Sequence, residues 1–336
     1  MRWVLIGAST IAGEWMVGAI RAVGDEVVAV VSGDLQRAKD FATKHGIAHA
    51  LTDEKAYPAL GVDAVYISST NEKHEASTLF AAAQGCHVLC EKPLATSLEA
   101  AIRMVQACRK AGVVMGTNHH LRHNGPHRVM REHLRAGTLG KLVAARMQHS
   151  VYLPVHLQGW RLDNPTAGGG VVLDIVVHNA DSLAFLLGEY PVEVCAMVSN
   201  SGMAHGLEDN AMSVWHFASG VTASSHQGFN TPYAATGLEL HGTHASLHGN
   251  GMMSQHPSGD LVLNNARGSE VLAVQRANLY EVCLNEMHRA IRGEAHDMAD
   301  GVAGAKSLAV ALAVLESART GRQVAVADVD ALLGHS

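Results

Sequence analysis

The chain opens with a short apolar run, RWVLI at positions 2–6, and a turn of small residues, GASTIA at positions 7–12. A stretch of helix length, 11–23, follows, and a strand, a tight turn and a helix in that order begin a βαβ unit. Gly7 permits the tight turn, and the amides at the start of the helix face the phosphates of a nucleotide. The turn fits the pattern G-x-G-x-x-G/A with serine at the second glycine. We therefore expect a dinucleotide to be held by Gly7, Ala8, Ser9, Thr10, Ile11 and Ala12.

The rest of the first 120 residues repeats this alternation of strand and helix. Apolar runs of strand length recur at Val27–Val31, Ala64–Ser68, His87–Cys90 and Val113–Gly116. Helical stretches separate them, at Leu35–His45, Lys73–Gln84 and Leu98–Ala111. Short strands without polar alternation are typical of a parallel sheet that helices cover on both faces. The sequence thus predicts an α/β protein in which residues 1–120 form a doubly wound parallel (Rossmann) domain that binds a dinucleotide.

After residue 120 the pattern changes. Helical stretches are predicted at Pro126–Ala136, Val171–Leu187, Leu279–Ile291 and Val302–Thr320. Short runs separated by glycine, asparagine and proline predict strands at Leu142–Val151, Val192–Val198, Ala211–Phe217, Val221–Gln227, Gly237–His241 and Leu261–Leu263. Strands separated by such turn residues favour antiparallel pairing. We expect residues 121–336 to form a substrate-binding α+β domain with a mostly antiparallel sheet.

The composition excludes several classes of protein. The 336 residues are 48% hydrophobic and 17% charged, and 25 Lys and Arg against 31 Asp and Glu give a net charge of −6. A mildly acidic chain lacks the positive field that phosphate-backbone binding needs, so we expect no nucleic-acid partner. The longest apolar helical candidate, Leu308–Leu315, is too short to span a membrane, and the first apolar run is too short for a signal peptide. We expect a cytoplasmic protein without a membrane partner.

The 22 histidines invite a metal-site interpretation. His119, His123 and His127 recur at four-residue steps, which is the spacing of one helix face. Asparagine, glycine and proline at 124–126 interrupt such a helix, and no cysteine pair or paired acid completes a set of ligands. We therefore expect no metal ion.

The end of the second predicted strand bears on which dinucleotide is bound. An enzyme that uses NAD carries an acid there, which binds the 2′-hydroxyl of the ribose. This chain has Ser32 and Gly33 at the strand end and Arg37 at the start of the next helix, and these suit the 2′-phosphate of NADP. Asp34 is the alternative ribose ligand, although its place before the helix also suits an N-cap. The sequence favours NADP(H), with NAD and a solvated Arg37 as the open alternative.

Three further residues have the chemistry of carbonyl reduction. Lys92 follows a predicted strand at the carboxyl edge of the sheet, where doubly wound folds bind ligands, and an ammonium there can polarise a carbonyl oxygen. Asp174 and His178 lie four residues apart on the apolar helix that follows Gly168–Gly170, and so share one face. Polar groups on such a face are costly unless paired or employed, and histidine is the natural proton donor near neutral pH. The residues alone leave catalysis and a purely structural role both open.

Several motifs together resemble those of one enzyme family. GASTIA (7–12), EKPL (91–94) and GGG (168–170) with Asp174, His178 and Asp181 are similar to the motifs of the Gfo/Idh/MocA oxidoreductases, in the same order and over nearly the whole chain. A sugar-reductase branch of that family is matched by four more segments, GTNHHLR (116–122), VYLP (151–154), QGWR (158–161) and NLYE (278–281).

The resemblance implies an NADP(H)-dependent reduction of a cyclic keto-sugar to a polyol. It implies that His178 is the general acid, that Lys92 polarises the carbonyl and that Asp174 anchors a substrate hydroxyl. A cis bond before Pro93 and a homo-oligomer formed through the open face of the C-terminal sheet are further implications. Besides the turn and Ser32, Gly33 and Arg37, the positions that match cofactor and cleft contacts are Ser69, Thr70, Asn71, His74, Glu91, Lys92, Asn118, Trp160, Arg161 and Tyr280.

Two positions depart from the general family pattern. Ser9 stands at the second glycine of the cofactor turn. Val176 stands where many relatives carry a glycine, and we expect its side chain to crowd the helix and narrow the substrate pocket. Three alternatives therefore stay open. They are an NAD(P)-dependent dehydrogenase of another sugar or of inositol, a relative that recycles its cofactor during hydrolysis or epimerisation of glycosides, and a non-enzymatic sensor of nucleotide and sugar on the same fold.

Overall fold

The computed structural model describes residues 1–334, and these form two compact units. Unit 1 holds Met1–His119, Tyr280–Ala305 and the described residues from Asp330 onward. Unit 2 holds His120–Leu279 and Lys306–Val329. The chain passes from unit 1 to unit 2 between residues 119 and 120. The second predicted domain was one continuous segment, 121–336, whereas in the structure residues 280–305 and those from 330 onward belong to unit 1. Residues 335 and 336 of that predicted domain lie outside the described residues.

Backbone pairing explains why the returning segment belongs with unit 1. The amide of Thr117 donates to the carbonyl of Ala299 at 2.8 Å, and Gly116 forms an antiparallel bridge with Asp300. Residues 299 and 300 therefore satisfy backbone groups at the edge of the first sheet. Pairing over such a sequence separation leaves no local pattern in the sequence.

The sheet of unit 1 has six strands in the order β3-β2-β1-β4-β5-β6, and all neighbours are parallel. The prediction of a doubly wound sheet is confirmed. The strands are β1 (Arg2–Ile6), β2 (Glu26–Val31), β3 (His49–Leu51), β4 (Ala64–Ile67), β5 (His87–Cys90) and β6 (Met115–Thr117). The helices between them are α1 (Val17–Ala22), α2 (Leu35–His45), α3 (His74–Ala83) and α4 (Leu98–Ala111). Side chains from β1, β2 and β4 form the core, because nearly every one of them is buried.

Two features of unit 1 differ from the predicted elements. The sequence did not predict β3, because three residues with one polar side chain give no strand pattern. The first helix begins as a π-helical turn, Ala12–Met16, and continues as α1. Single π-helical turns are frequent at functional sites, and this one follows the predicted dinucleotide turn directly.

The sheet of unit 2 has nine strands in the order β14-β13-β12-β11-β7-β10-β9-β8-β15. Only β7 and β10 are parallel, so the prediction of a mostly antiparallel sheet is confirmed. The strands are β7 (Leu142–Ser150), β8 (Pro191–Ser199), β9 (Asn210–Phe217), β10 (Thr222–Gly228), β11 (Gly237–Gly242), β12 (Ala245–Asn250), β13 (Asp260–Asn265), β14 (Gly268–Leu272) and β15 (Val324–Ala325). The sequence missed β12, β14 and β15, because their serine, asparagine, glycine and glutamate residues, or their shortness, hide any alternation.

Three helices of unit 2 lie between β6 and β8 in the sequence. They are α5 (Gly125–Arg135), α6 (Trp160–Asp163) and α7 (Val177–Leu187). The helix predicted over 171–187 begins as a π-helical turn, Val172–Val176, so the four-residue step from Asp174 to His178 crosses this turn. Ten of the eleven residues of α7 are buried, which makes it the central helix of unit 2.

Three helices complete the chain, α8 (Leu279–Ile291), α9 (Gly301–Thr320) and α10 (Val329–Leu332). Helix α9 is long and apolar enough to cross a membrane, yet 61% of its most apolar 18-residue window is buried inside the structure. Burial of that extent is typical of a core helix. The last two of the predicted helices, near 279–291 and 302–320, correspond to α8 and α9.

Candidate active site

The turn after β1 requires glycine at position 7. Gly7 has a φ of +113°, and a Cβ there would lie 2.9 Å from backbone atoms of both Ser68 and Ser69. Its amide donates to the carbonyl of Val31 at 2.9 Å, which holds the turn between the ends of β1, β2 and β4. The close approach of these backbones leaves the following amides at the carboxyl edge of the sheet. That arrangement suits a pyrophosphate.

Ser9 does more than replace the second glycine of the pattern. Its hydroxyl accepts from the amide of Ala12 at 3.2 Å and donates to the hydroxyl of Ser68 at 2.7 Å. The side chain therefore closes the first turn of the helix, as an N-cap residue does, and joins it to the end of β4. Serine at this position is consistent with a formed dinucleotide turn.

The residues after β2 surround the same turn. Asp34 caps α2, because its carboxylate accepts from the amide of Arg37 at 2.7 Å, and its predicted capping role is confirmed. The side chain of Arg37 then turns back, and its Nε donates to the carbonyl of Ala8 at 3.2 Å. Ser32 Oγ accepts from the amide of Asp34 at 3.4 Å. Gly33 lies between Ser32 and Asp34, so the structure brings Ser32, Gly33 and Arg37 next to the dinucleotide turn.

His74 connects the loops that follow β4 and β5. Its Nδ1 lies 3.1 Å from the carbonyl oxygen of Pro93, and its Nε2 lies 3.1 Å from that of Ser69. The ring is fully buried, and burial lowers its pKa although the carbonyl contacts oppose this. Thr70 and Asn71 follow Ser69 directly, at the start of the 3-10 turn Asn71–Lys73. The peptide bond between Lys92 and Pro93 is cis, as the resemblance predicted. Because its two ring nitrogens contact the carbonyls of Ser69 and Pro93, the ring holds the loop after β4 next to the loop after β5.

Glu91 is the centre of a hydrogen-bonded group immediately before Lys92. Its Oε1 accepts from Tyr66 Oη at 2.5 Å and from Asn118 Nδ2 at 2.6 Å. Burial raises the pKa of this carboxyl, while the hydrogen bonds from Asn118 and Tyr66 and the charge of Lys92 oppose the rise. Tyr280, which is also buried, stacks on the ring of Trp15 with centroids 5.5 Å apart. Unit 1 thus gathers the predicted residues from six separate segments.

Close packing requires glycine at two of the three positions 168–170. A Cβ on Gly169 would lie 2.6 Å from the carbonyl oxygen of Trp160, and a Cβ on Gly170 would lie 2.2 Å from Oε1 of Glu208. Glu208 Oε1 also accepts from the amide of Val172 at 3.1 Å, so its carboxylate caps the helical segment that carries Asp174. Burial raises the pKa of Glu208. The capping role of Glu208 was not predicted from the sequence, since an acid between two strands carries no signal for such a role.

Arg161 connects the Trp160 segment to Asp174. Its Nε lies 3.6 Å from Oδ2 of Asp174, and its guanidinium lies over the ring of Trp160 at 4.6 Å from the centroid. Both side chains of the ion pair are mostly buried, which strengthens the attraction between the two charges. Trp160 and Arg161, expected as cofactor contacts, are therefore neighbours of Asp174 in unit 2 and do not belong to unit 1.

His178 lies among other imidazoles in unit 2. Its ring is 7% exposed and meets the ring of His120 edge to face at 5.0 Å, while the ring of His149 lies 6.0 Å away. Asp181, three residues further along α7, forms a buried ion pair with Arg122. An imidazole can donate a proton near neutral pH, and this is the chemistry that a developing alkoxide needs.

His119, His123 and His127 are the histidines whose four-residue spacing made them candidate metal ligands. Among residues 1–334, no group of three His, Cys, Asp or Glu side chains could hold a metal ion. His127 is fully buried, and burial lowers its pKa to about 3 despite the nearby Asp181. It is therefore a neutral core residue of α5 at any physiological pH.

Two family models match the chain. One, described as the oxidoreductase family with an NAD-binding Rossmann fold, matches residues 1–119, and the other, the GFO/IDH/MocA C-terminal domain, matches residues 127–248. The chain belongs to the Gfo/Idh/MocA family of oxidoreductases, and the predicted resemblance is confirmed. The cofactor of unit 1 is accordingly a nicotinamide dinucleotide.

Among curated relatives, the 1,5-anhydro-D-fructose reductase of Ensifer adhaerens is 51% identical over 323 residues, which cover 96% of this chain and 97% of that protein. The D-glucoside 3-dehydrogenase of Escherichia coli (strain K12) is 33% identical over 194 residues, 56% of this chain and 54% of that protein. The first similarity extends over both units.

Solved structures show the same fold at lower identity. The aldose-aldose oxidoreductase of Caulobacter crescentus, in a complex with glycerol, superposes with a TM-score of 0.87 at 24% identity, covering 97% of this chain and 99% of that one. A levoglucosan dehydrogenase in a complex with NADH and L-sorbose gives a TM-score of 0.87 at 20% identity, covering 98% of this chain and 100% of that one.

Proposed function

We propose that this protein reduces a cyclic keto-sugar to a polyol with NADPH, and that its reaction converts 1,5-anhydro-D-fructose to 1,5-anhydro-D-mannitol. One observation carries the proposal. A carboxylate held by Arg161 and a buried imidazole, Asp174 and His178, lie on one buried helical segment of a chain that is 51% identical over 96% of its length to a named 1,5-anhydro-D-fructose reductase. The imidazole supplies a proton donor and the carboxylate supplies a hydroxyl acceptor, as a keto-sugar requires.

Three side chains have separate roles in the proposed reaction. The reduced nicotinamide, when bound, supplies a hydride to the carbonyl carbon. His178 donates a proton to the carbonyl oxygen as negative charge develops there, and a general acid of this kind typically accelerates a reaction about 10²–10⁴-fold. The ammonium of Lys92 polarises the same carbonyl. Asp174 accepts a hydrogen bond from a sugar hydroxyl and so orients the ring.

The preference for NADPH is part of the same proposal. Arg37 is fixed beside the turn by its bond to Ala8, and Ser32 offers a hydroxyl rather than a carboxylate. The carboxylate of Asp34 is engaged in capping α2. The remaining cofactor contacts proposed are Gly7, Ala8, Ser9, Thr10, Ile11, Ala12, Gly33, Ser69, Thr70, Asn71, His74, Glu91, Lys92, Asn118, Trp160, Arg161 and Tyr280.

We also propose that the protein is located in the cytoplasm.

The outer face of the sheet in unit 2 is the surface we propose for self-association. Met197 is 80% exposed, and Met212 and Val214 are each 55% exposed, on the neighbouring strands β8 and β9. Large apolar side chains that lie together on one solvent-facing sheet surface are typical of a protein–protein interface. The occupant we propose is the same face of a second copy of this chain.

Oxidation of NADPH at 340 nm by the purified protein tests the proposed reaction. We expect the highest kcat/KM with 1,5-anhydro-D-fructose in a panel that also contains other keto-sugars and inosose, the ketone of inositol. NADH should support a lower rate. Proton NMR of the product should show the mannitol configuration at C2. His178→Ala, assayed in parallel, reports whether the observed turnover depends on the proposed acid.

Each rival function gives a distinct result in this assay. A dehydrogenase of another sugar or of inositol would prefer a different member of the panel. A sensor would bind NADPH, measured by fluorescence, without turning over any substrate. A relative that recycles its cofactor would convert a glycoside without net loss of absorbance at 340 nm. Any of these three outcomes would replace the proposed reaction.

A further inference from the structure

The inner face of the sheet in unit 2 carries a buried row of polar side chains where an apolar core is expected. Inward positions alternate along a strand, and on β7 and β10 they include His149, Ser225 and Gln227. Asn179 on α7 lies against them. Their exposed fractions are between 0% and 8%. Burying four polar groups is costly unless they are bonded to one another, so this row calls for an explanation.

The four side chains form a continuous hydrogen-bonded chain. Gln227 Nε2 donates to Ser225 Oγ, and Asn179 Nδ2 donates to the same oxygen at 3.0 Å. The amide oxygen of Asn179 therefore faces the other way, 3.0 Å from Nδ1 of His149. An amide oxygen only accepts, so Nδ1 of His149 carries a proton. The ring can then gain or lose a proton only at Nε2.

This chain ends beside His178. Asn179 is the next residue after His178 on α7, and the rings of His149 and His178 lie 6.0 Å apart. A single water molecule can span the gap between two imidazoles at this separation. Both rings are more than nine-tenths buried. If His178 gives its proton to a substrate, another proton must reach this buried ring before the next turnover.

The other titratable groups near the two rings are His120, His127, Asp174 and Asp181. His127 on α5 is neutral, because burial lowers its pKa to about 3. Asp181 on α7 is held by Arg122 from the 3-10 turn His120–His123, at 2.6 and 2.7 Å. His120, from the same turn, meets His178 edge to face. Asp174 precedes His178 by one turn and is paired with Arg161.

We propose that His149 is the residue that reloads His178 with a proton after each reduction. The inference rests on the proposed function, in which His178 gives its proton to the carbonyl oxygen. After that transfer His178 is neutral. Protonated His149 passes its Nε2 proton to His178, and Nε2 then takes a proton from solvent, so one proton enters per turnover. His149 acts only through His178 and touches no reacting atom.

The proton fixed on Nδ1 of His149 favours uptake and release of the second proton at Nε2. Hydrogen bonding of one ring nitrogen to an acceptor raises the basicity of the other nitrogen. His149 can therefore take up and release a proton at Nε2 without reorienting Asn179, Ser225 or Gln227. The buried polar chain thereby has a function that compensates for the cost of burying it.

Comparison of single and multiple turnovers of His149→Gln tests the proposal. Glutamine can still donate to Asn179 but cannot carry a proton. The first turnover, which uses the proton already on His178, should keep its rate within about twofold, while steady-state kcat should fall roughly tenfold or more. A burst of one NADPH oxidised per site should appear, KM should change little, and added imidazole should restore kcat. His133→Gln is the matched control, because His133 likewise bonds through Nδ1 to a side-chain oxygen, that of Thr138, at 3.2 Å.

The outcomes separate this inference from the proposed function. If His178→Ala turns over at the wild-type rate, the proposed function itself is wrong. If His178→Ala is slow but His149→Gln shows no burst and a wild-type kcat at every pH, only the inference about His149 is wrong. Nitrogen-15 NMR of the unaltered protein provides a test that does not depend on a folded variant. A proton on Nε2 instead of Nδ1 of neutral His149 would also overturn the inference.

Discussion

Arg122 holds Asp181 through two parallel hydrogen bonds, from Nε to Oδ2 at 2.7 Å and from Nη2 to Oδ1 at 2.6 Å. The two side chains are 12% and 1% exposed. Asp181 lies three residues after His178 on α7, and Arg122 lies two residues after His120 in the neighbouring 3-10 turn. The ion pair therefore fixes the two segments whose imidazoles meet edge to face, and it aligns the proposed proton donor.

Removing one member of this pair should destabilise the protein strongly. Arg122→Met leaves a buried carboxylate without its partner, and breaking a buried pair in this way typically costs about 3–5 kcal/mol. Urea denaturation measures the change. In Arg319→Met, the matched control, the lost pair with Glu316 is exposed to solvent and should contribute little to stability. Equal losses in the two variants would show that the Arg122 pair is not a structural clamp.

Asp25 should make unit 1 sensitive to acid. Burial alone would raise its pKa, but hydrogen bonds from the N-terminal amine, Trp3 and His288 outweigh burial and hold the pKa below its usual value. A depressed folded-state pKa stabilises the fold above the unfolded pKa, near 3.9, and that stabilisation is lost as the pH falls through the folded pKa. Asp25→Asn should therefore lower the melting temperature at pH 7, and the difference from wild type should shrink below about pH 4.

The control for Asp25 is an exposed carboxylate at the edge of the same sheet region. Glu26 pairs with Arg2 at 2.7 Å, but the two side chains are 59% and 46% exposed. Glu26→Gln should change the melting temperature little at any pH, since exposed pairs contribute little. A melting temperature of Asp25→Asn that stays parallel to wild type from pH 7 to pH 3 would contradict the assignment.

The sequence predicted what depends on local patterns. Five of the six strands of unit 1 are apolar runs, and the dinucleotide turn is a contiguous motif around Gly7. Asp34 stands directly before a helix, which is why its cap could be recognised. Asp174 and His178 were found as candidates because polar residues are conspicuous on an apolar helix.

Features that depend on distant parts of the chain could not be predicted in the same way. Residue 300 pairs with residue 116, and nothing near either position indicates the other. The buried row of polar side chains beside His178 contains a hydrogen bond between Asn179 and Ser225, which lie 46 positions apart in the sequence. A weak signal was present, because His149 and Gln227 occupy inward positions of alternating strands. It becomes interpretable only once the two strands are known to be neighbours.

Replacement of His178 should separate binding from chemistry. His178→Ala removes the proposed proton donor, which acts only as the alkoxide develops, so turnover should fall about 10²–10⁴-fold. The dissociation constant of NADPH, measured by fluorescence, should change little. His296→Ala serves as the control, since His296 is exposed in the loop between α8 and α9. A nearly wild-type rate for His178→Ala would show that this histidine is a structural core residue.

The outer sheet face should control the oligomeric state. Met212→Lys places a charge in the centre of the exposed apolar surface, so a dimer formed through this face should dissociate to monomers. Sedimentation velocity at micromolar concentration measures the change. Leu332→Lys is the matched control, because Leu332 is similarly exposed, at 53%, in α10. A wild-type protein that sediments as a monomer would show that the face does not self-associate.

Two residues after β2 should set the preference between NADPH and NADH. Arg37→Ala removes the cation beside the dinucleotide turn, so NADPH should bind more weakly while NADH changes little. Since salt screens this attraction, the loss should be smaller at high ionic strength. Asp34→Ser is the control, because serine keeps the N-cap of α2 and removes the carboxylate. If Asp34 were the ribose ligand of an NAD enzyme, this control would weaken NADH.

Ser32→Asp should reverse the preference. The variant brings a carboxylate towards the 2′-phosphate, and two charges about 4 Å apart at an effective dielectric near 20 repel by roughly 4 kcal/mol before screening. A quarter of that figure, about 1 kcal/mol, is still about a fivefold loss of NADPH affinity. The same carboxylate can accept from the 2′-hydroxyl of NADH, so NADH should bind as well or better. The ratio of kcat/KM for the two cofactors measures the reversal. An equal loss for both would indicate damage to the turn, and no change for either would place the 2′-phosphate elsewhere.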